Sequence, residues 1–487
     1  MTVTAAREAR LSANIVERLT QAQPRTTRTF AVHSPIDGME LIQVADCDAA
    51  DARRAADRAA TAFESWKEAT AYERSAVLRR WGVLMQEHAA DLVPLMAMEM
   101  GKPVTEAAGE LRYSTSFVEW NAEEAKRVYG ATIPSQFAHK RMLVLKQPSG
   151  VVYAITPWNF PHATVTRKVA PALAAGCTVI LKPAEETPLS ALYLAALWEE
   201  AGGPPGTLQV LPALDPVAVS DVLLDDARVR VLTFTGSTAV GMHLYARCAK
   251  TMKRIALELG GHAPFLIFED ADIGAAVREV VACKFRNAGQ TCVCTNRIYV
   301  HDSIMADFTE ALTQAVSTLK VGDPLDAAIQ VGPLVNADGL RKVQRHVADA
   351  VERGARVTTG GRSLGGLYFQ PTVLTGVTRD MQLMGEETFG PVAPILSFRS
   401  DGEAIARAND TQYGLAAYLW TRDLSRAYRV SEALQYGIVG VNDGVPSTAQ
   451  APFGGVKNSG IGREGGRWGI DEFLDVKHVT VGLTPGR

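Results

Sequence analysis

Cys292 and Cys294 stand one residue apart in the segment FRNAGQTCVC, residues 285–294. The small and polar residues just before Cys292 follow a predicted helix, and such a junction could expose the thiol and favour its reactive thiolate form. The alternative is that both cysteines are small hydrophobic residues of the core, which is common for unpaired cysteines. No second Cys or His pair with zinc-ligand spacing is near, so we expect no metal site.

A nucleophilic thiol needs a general base and a hydrogen-bond donor for the oxyanion that forms. Glu258 ends a predicted strand in the segment LELGG, where two glycines leave room for the carboxylate to point into a cleft. Asn159 follows the predicted strand GVVYAIT, and its side-chain amide could donate to a developing alkoxide. The ordinary alternatives are a solvated glutamate and a turn asparagine beside a proline.

The segment FTGSTAVG, residues 234–241, follows a predicted strand and opens a predicted helix. That position suits a phosphate group, because the N–H groups at a helix N-terminus are free to bind anions. The segment lacks the middle glycine of the G-x-G-x-x-G pattern, so as a dinucleotide motif it is weak. A tight strand-to-helix turn without a ligand is the alternative.

The elements that must position these residues form two α/β patterns. Residues 150–260 alternate apolar strands with helices, which predicts a parallel sheet covered on both faces. A second α/β pattern begins after Gly261. The first 125 or so residues are predicted to be mostly helical, and the final segment FLDVKHVTVGL alternates in the manner of an edge strand.

Composition limits the classes of function. A chain of 487 residues is too long for one ordinary core, and its formal net charge of −3 is spread along the sequence. We therefore expect no nucleic-acid partner, and no apolar run reaches the length of a membrane span. The N-terminus does not resemble a secretory signal, and six scattered cysteines fit a reducing compartment, so we expect a cytoplasmic protein.

Seven short motifs, in this order, resemble the aldehyde dehydrogenase superfamily: TPWNFP, LKPAEETP, FTGST, LELGG, GQTC, EETFGPV and PFGGVKNSG. The resemblance extends from EMGKP, residues 99–103, to GREGG, residues 462–466. Within the superfamily, KFRNAGQTCVCTNR, VTRKVAPALAAG and YGIVGVNDGVPS are most similar to the succinate-semialdehyde dehydrogenase group.

The resemblance implies an α/β fold in three parts. A Rossmann-like NAD(P)-binding domain would comprise residues 1–129 and 149–260, and an α/β catalytic domain would comprise residues 261–475. Residues 130–148 and 476–487 would form a small β oligomerisation flap, so a homodimer or homotetramer is expected.

The resemblance also implies roles for individual residues. Cys292 would be the nucleophile and Glu258 the general base, while Asn159 and the backbone amide of Cys292 would hold the oxyanion. A carboxylate on the substrate would be bound by Arg167, Arg286 and Ser447, although Arg286 could instead pair along its own helix. The positions implied for cofactor binding are Thr156, Pro157, Trp158, Lys182, Glu185, Gly236, Ser237, Glu387 and Phe389.

The expected activity is oxidation of succinate semialdehyde to succinate through a thiohemiacetal and a thioester of Cys292. Other aldehydes with an acidic tail, glutarate semialdehyde or sulfolactaldehyde, would use the same arginines, and a non-catalytic structural protein of this fold is a further alternative. Glu185 should repel a 2′-phosphate, which favours NAD with NADP tolerated. Cys294 is a candidate redox partner for Cys292.

Overall fold

The computed structural model describes residues 11–484 of the chain. Residues 1–10 and 485–487, which contain the N-terminal segment and the outer ends of two expected domains, lie outside the described residues. Helices and parallel strands alternate through most of the chain, so the expected α/β class is confirmed. Within the described part, no helix combines the length and the apolar character that crossing a membrane requires.

The α-helices begin and end at residues that stop the backbone hydrogen-bond ladder, as in the capping boxes of Asp48 with Asp51 and of Thr70 with Glu73. They are α1 (Ala13–Ala22), α2 (Ala49–Trp66), α3 (Ala71–Glu87), α4 (Ala89–Met100), α5 (Val104–Glu124), α6 (Ala163–Ala175), α7 (Pro188–Glu200), α8 (Pro216–Asp225), α9 (Thr238–Ala249), α10 (Ile273–Phe285), α11 (Met305–Ser317), α12 (Ala337–Glu352), α13 (Asp401–Asn409), α14 (Leu424–Ala433) and α15 (Gly466–Asp471).

The strands are short and most are buried. They are β1 (Thr29–His33), β2 (Glu40–Ala45), β3 (Ala131–Ile133), β4 (Lys140–Pro148), β5 (Val151–Ile155), β6 (Thr178–Lys182), β7 (Leu208–Val210), β8 (Val229–Thr235), β9 (Arg254–Glu258), β10 (Ala263–Ile267), β11 (Thr295–His301), β12 (Arg356–Thr359), β13 (Ser363–Gly365), β14 (Tyr368–Phe369), β15 (Thr372–Thr375), β16 (Val392–Phe398), β17 (Ala416–Trp420), β18 (Ile438–Val441), β19 (Gly460–Ile461) and β20 (Leu474–Gly482).

The first large sheet has the strand order β19-β9-β8-β5-β6-β7, and all its pairs are parallel except β19 with β9. Alternate side chains of β5 enter different cores: Val152 and Ala154 pack in one cluster, and Val151 and Tyr153 pack in the other. The chain order reverses between β5 and β8. The loops that follow these two strands therefore open at a topological switch point, where open α/β sheets bind ligands.

The second large sheet has the order β12-β15-β16-β11-β10-β17-β18 and is parallel from β15 to β18. Phe265 and Ile267 of β10 face one core, whereas Leu266 faces the other. Both faces are buried, which explains why these strands read as continuous apolar runs. Cys292 lies in the loop between α10 and β11.

A third, three-stranded antiparallel sheet pairs β20 with β4 and β4 with β3. The described parts of the two strand-like segments predicted near residues 130–148 and 476–485 thus lie side by side, with β20 at an edge. The expectation that the first 125 residues are mostly helical omitted a hairpin of β1 and β2. Its strands are short and half-exposed, so no long apolar pattern marks them.

Candidate active site

One cavity of about 510 Å³ brings together most of the residues that the resemblance implicates. Its walls come from α5, α6, the loop after β5, the turn between β8 and α9, and the loop before β11. The expected site residues that line it are Pro157, Trp158, Asn159, Arg167, Gly236, Ser237, Arg286, Cys292, Glu387, Phe389 and Ser447. Those that do not line it are Thr156, Lys182, Glu185, Glu258 and Cys294.

The loop that presents Cys292 is formed by an unusual backbone. Asn287, Ala288 and Gly289 have φ angles of 53°, 53° and 74°, in the left-handed region that only glycine adopts freely. They turn the chain sharply out of α10. The loop is also tightly packed, because a Cβ atom on Gly261 would lie 2.4 Å from the carbonyl oxygen of Cys292. A glycine at position 261 is therefore required for the thiol to take this place.

The thiol of Cys292 is half-buried, and its surroundings favour the protonated form. Burial, the largest cause, raises its pKa from 9.0 to about 12, and the carboxylates of Glu387 and Glu258 act in the same direction. The guanidinium of Arg167 lowers the pKa but does not outweigh burial. The expectation of an environment that favours the thiolate is therefore wrong for this structure, and the sulfur needs a proton acceptor during attack.

Hydrogen bonds hold Asn159 in place through both its side-chain amide and its backbone carbonyl group. Its side-chain Nδ2 donates to the carbonyl oxygen of Gln290 at 3.0 Å, which leaves its second N–H available. Its own carbonyl oxygen accepts hydrogen bonds from Lys102 Nζ at 2.8 Å and from Asn287 Nδ2 at 3.0 Å. The donor expected to stabilise an oxyanion is thus tied directly to the loop that carries Cys292.

Glu258 is the last residue of β9 and is buried; it does not line the cavity, although the sequence predicts that its carboxylate can point into a cleft. Its Oε2 atom is buried without a hydrogen-bond partner. Burial, and then the neighbouring carboxylate of Glu464, raise its pKa well above 4.5, against the opposing charges of Arg167 and Lys168. The raised pKa makes the ionised carboxylate a stronger base than that of an exposed glutamate, which is the property a general base needs.

The two arginines expected to bind a substrate carboxylate differ in their partners. Arg167 Nε donates to Glu464 at 2.6 Å, and its guanidinium lies 3.9 Å from the ring centre of Phe453. Arg286 lies 5.6 Å from the ring centre of Phe160, and its buried Nε atom has no hydrogen-bond partner among residues 11–484. Arg286 is therefore the guanidinium of this pair that still has an unsatisfied donor.

At the other end of the cavity, Gly236 and Ser237 mark the N-terminus of α9, and Ser237 Oγ caps it by accepting the N–H of Val240 at 3.4 Å. Glu387 accepts the N–H of Gly261 at 3.3 Å, and burial raises its pKa to about 7. A helix N-terminus beside a carboxylate fits the phosphates and the ribose hydroxyls of a dinucleotide.

Two aromatic rings close this cofactor end. Trp158 and Phe389 meet edge to face with ring centres 5.4 Å apart. Phe389 has a φ angle of 53°, a strained conformation for a bulky residue that is often found at functional sites. The residues present therefore fit a nicotinamide dinucleotide, with Gly236, Ser237, Glu387 and Phe389 placed to hold it.

Thr156, Lys182 and Glu185 lie together at the carboxyl ends of β5 and β6. The N–H of Thr156 donates to the carbonyl oxygen of Lys182 at 3.2 Å. Lys182 Nζ donates to the carbonyl oxygen of Pro183 at 2.9 Å and to Glu185 at 3.4 Å. This group lies outside the cavity but on the same edge of the sheet, which is where the far ribose of a dinucleotide is bound in open α/β folds.

Comparison with known protein families matches residues 22–479 to the aldehyde dehydrogenase family. The chain belongs to the aldehyde dehydrogenase family. This match confirms the resemblance inferred from the motifs. Solved structures of aldehyde dehydrogenases also share the fold.

The curated relatives of this aldehyde dehydrogenase include enzymes named for three acid-tailed substrates. The NADP+-dependent succinate-semialdehyde dehydrogenase of Escherichia coli is 52% identical over 454 residues, 93% of this chain and 94% of its own length. A 3-sulfolactaldehyde dehydrogenase of Pseudomonas putida is 52% identical over 456 residues, with the same coverage. A glutarate-semialdehyde dehydrogenase of Pseudomonas aeruginosa is 49% identical over 457 residues, covering 93% of this chain and 94% of that protein.

Solved structures of similar proteins have the same fold as this chain. An E. coli NADP-dependent enzyme superposes with a TM-score of 0.93 at 51% identity, covering 94% of this chain and 95% of that one. Betaine aldehyde dehydrogenase of Staphylococcus aureus, solved in complex with NAD+, gives a TM-score of 0.92 at 35% identity, covering 96% of this chain and 94% of that one.

Residues that sequence reasoning missed surround Cys292, the predicted nucleophile of this dehydrogenase. Glu464 accepts hydrogen bonds from Arg167 and from the buried Lys168, and Lys102 forms a buried ion pair with Glu110. Glu464 and Lys102 lie in the segments GREGG and EMGKP, which mark the resemblance. The sequence therefore contained both residues within recognised motifs but did not indicate what either residue does. Lys342 lines the cofactor end, and Glu106 lines the cavity near Arg286.

Cys294 is fully buried behind the loop that carries Cys292. Its thiol donates to the carbonyl oxygen of Gly289 at 3.3 Å, and Lys284 Nζ lies 3.6 Å from its sulfur. Burial raises the pKa of this thiol, and the charge of Lys284 opposes that shift. A redox role for Cys294 therefore requires the loop from Asn287 to Cys292 to move.

Proposed function

We propose that this aldehyde dehydrogenase oxidises short aldehydes with a negatively charged tail, succinate semialdehyde first among them, to the corresponding acids. The observation that carries the proposal is the buried, unpartnered Nε of Arg286 in the cavity that holds Cys292. A buried donor without a partner costs free energy, and a carboxylate would satisfy it with a charge-assisted hydrogen bond. The names of three close relatives point to the same class of substrate.

The first step is attack of the Cys292 sulfur on the aldehyde carbon. Burial favours the protonated thiol, so its proton passes to solvent water as the carbon–sulfur bond forms. The aldehyde oxygen becomes an alkoxide that the free N–H of Asn159 and the backbone N–H of Cys292 can stabilise. One such donor lowers the activation barrier by about 3 kcal/mol in other enzymes.

A bound nicotinamide dinucleotide supplies the hydride acceptor that allows the thiohemiacetal of Cys292 to become a thioester. Glu258 then takes a proton from water, whose oxygen attacks the thioester carbon. The carbon–sulfur bond breaks, the acid leaves, and the sulfur of Cys292 regains a proton from Glu258, which is thereby ready for the next cycle. The presence of Glu258 supports water rather than phosphate as the final acceptor.

For the cofactor we propose NAD, with NADP accepted. Glu185 lies next to Lys182 where the adenosine ribose would bind, so a 2′-phosphate would meet one negative and one positive group. The ratio of kcat/KM for the two cofactors decides the preference, and a strong preference for NADP would overturn it. In that event the NADP+-dependent relative of E. coli would be the better guide.

We also propose the division into a cofactor domain (1–129 and 149–260), a catalytic domain (261–475) and an oligomerisation flap (130–148 and 476–487). The flap sheet exposes Val476 at 69%, together with Ile133, Leu145 and Val481. Such an open, apolar edge calls for a partner subunit, so a homodimer or homotetramer in the cytoplasm is proposed. Sedimentation analysis of the wild type and of Val476→Lys tests this, and a monomeric wild type would contradict it.

The test of the proposed function is a panel of aldehydes assayed with both cofactors. Succinate semialdehyde, glutarate semialdehyde and sulfolactaldehyde are compared with butanal, which has a neutral tail. The proposal expects kcat/KM to be at least tenfold higher for an acid-tailed aldehyde, in line with the loss of a charge-assisted bond of about 1.5–3 kcal/mol. Equal values for butanal would contradict it, and no reduced cofactor with any aldehyde would indicate a structural protein.

A further inference from the structure

Glu106 lies in the first turn of α5, half-buried, on the wall of the same cavity. Its Oε2 accepts the backbone N–H of Asn287 at 2.7 Å, so the carboxyl group contacts the residue that directly follows Arg286. We call the part of the cavity lined by Glu106, Phe160 and Arg286 the tail end. No role in the oxidation described above requires an acid at this place.

The two charged residues that line the tail end, Glu106 and Arg286, have no ion pair with any residue that the structure describes, whereas the charged residues near them are paired. Lys102 pairs with Glu110, with both side chains buried. Arg167, farther along the wall, pairs with Glu464. Among the described residues no ion pair within 4.0 Å joins Glu106 to Arg286, although the positive charge of Arg286 lowers the pKa of Glu106. The net charge offered to an incoming anionic tail therefore depends on the protonation of Glu106.

We propose that Glu106 determines the preference for acid-tailed aldehydes, because its neutral form leaves the charge of Arg286 to the tail and its ionised form opposes it. Binding of an acid tail is then accompanied by uptake of a proton at Glu106. The inference rests on the proposed function and adds a specificity-determining residue to it.

The surroundings of Glu106 place its titration in the neutral range. Burial raises its pKa to about 7, and the negative charge of Glu110 acts in the same direction. The hydrogen bond from Asn287 and the charges of Lys102 and Arg286 lower the pKa. Below pH 7 the carboxyl is therefore mostly neutral and admits an anion, and above pH 7 it is mostly charged and repels one.

The first experiment measures KM for succinate semialdehyde and for butanal between pH 6 and pH 8.5. Two like charges separated by several ångströms in a partly buried site repel enough that the ratio of the two KM values should rise about fivefold over this range. The Glu106→Gln variant keeps an oxygen that can accept the N–H of Asn287. In this variant the ratio of the two KM values should stay low and should not change with pH. Titration of Cys292, Glu258 or Glu387 affects both aldehydes and so cancels in the ratio.

A control variant, Glu119→Gln, removes an exposed carboxylate from the same helix and should leave the wild-type pH dependence unchanged. The second experiment titrates succinate semialdehyde calorimetrically into the cofactor-loaded Cys292→Ala enzyme in buffers of different ionisation enthalpy. Proton uptake on binding should be measurable near pH 7.5 and should vanish when Glu106→Gln is added.

The two proposals fail in different ways. If succinate semialdehyde is oxidised efficiently but the KM ratio does not change with pH, the role of Glu106 is wrong and the proposed function stands. The same holds if Glu106→Gln keeps the wild-type pH dependence or the wild-type proton uptake. If no acid-tailed aldehyde is preferred at any pH, the proposed function itself is wrong.

Discussion

Around Cys292 the amides of Asn159, Asn287 and Gln290 are hydrogen-bonded to one another, whereas at the tail end Arg286 keeps a buried N–H without a partner. These bonds position the first region before substrate arrives and leave one N–H of Asn159 free, which suits a site that must stabilise a short-lived charge without rearranging. The second region is incomplete, which suits recognition, because the substrate itself supplies the missing acceptor.

The comparison predicts that chemistry and specificity are separable in this cavity. Changes among the bonded amides should act on kcat for every aldehyde. Changes at the tail end should act on KM for acid-tailed aldehydes alone. The following variants and measurements test this separation, beginning with the largest effect.

Asn159→Ala removes the side-chain donor of the bonded region. We expect kcat to fall by about 100- to 1,000-fold for succinate semialdehyde and butanal alike, as when one oxyanion donor is deleted in other enzymes. Steady-state kinetics on both substrates measures the loss. Asn121→Ala, which deletes a buried amide that does not line the cavity, is the control and should keep near-normal kcat. A loss confined to one aldehyde would contradict the separation.

Alkylation of Cys292 tests the state of the thiol. With its pKa raised to about 12, the thiolate fraction of the cofactor-free enzyme should rise about tenfold per pH unit from pH 7 to pH 10. Near pH 7, inactivation by iodoacetamide should be about 50-fold slower than for a thiol of ordinary pKa, since higher nucleophilicity offsets part of the smaller thiolate fraction. A plateau below pH 9 would show that the thiol is not shifted upward.

The two arginines offer a matched pair. Arg286→Met should raise KM for succinate semialdehyde about 10- to 100-fold and spare butanal, because it removes one charge-assisted contact. Arg167→Met should impair both aldehydes and lower the melting temperature, because it leaves Glu464 buried with only Lys168 as a partner. The opposite pattern would assign the tail contact to Arg167.

Cys294→Ser should have the smallest effect, with kcat within about twofold of the wild type, because the side chain is buried behind the loop. Our hypothesis that Cys294 protects Cys292 by a reversible bond predicts one difference. After peroxide treatment, dithiothreitol should restore activity in the wild type but not in the variant. Identical recovery of the two enzymes would remove the redox role.

The fold was predictable where local pattern and burial agree. The β5 and β6 strands are nearly all buried, so their apolar runs and the helices between them indicated a parallel sheet without any knowledge of contacts. The hairpin of β1 and β2 was missed because its residues are partly exposed and its pairing spans a turn, which leaves no long periodic signal.

Most of the predicted site residues line one cavity, but the partners of these residues could not be predicted from the sequence. Motifs marked Cys292, Asn159 and Glu258, yet the ion pair of Arg167 with Glu464 joins positions 297 residues apart. An ion pair between residues so far apart in the chain cannot be inferred from residue spacing. The thiol's raised pKa likewise depends on burial by several elements at once, which the polar flanks of Cys292 did not show.

The central claim, that Cys292 carries the acyl group until Glu258 activates water, is tested most directly by trapping that group. Glu258→Gln enzyme is mixed with succinate semialdehyde and NAD, the release of NADH is followed, and the peptide containing Cys292 is examined by mass spectrometry. The account predicts a burst of one NADH per site and a succinyl group on Cys292. Continuous turnover at the wild-type rate, or a succinyl group on another residue, would contradict it.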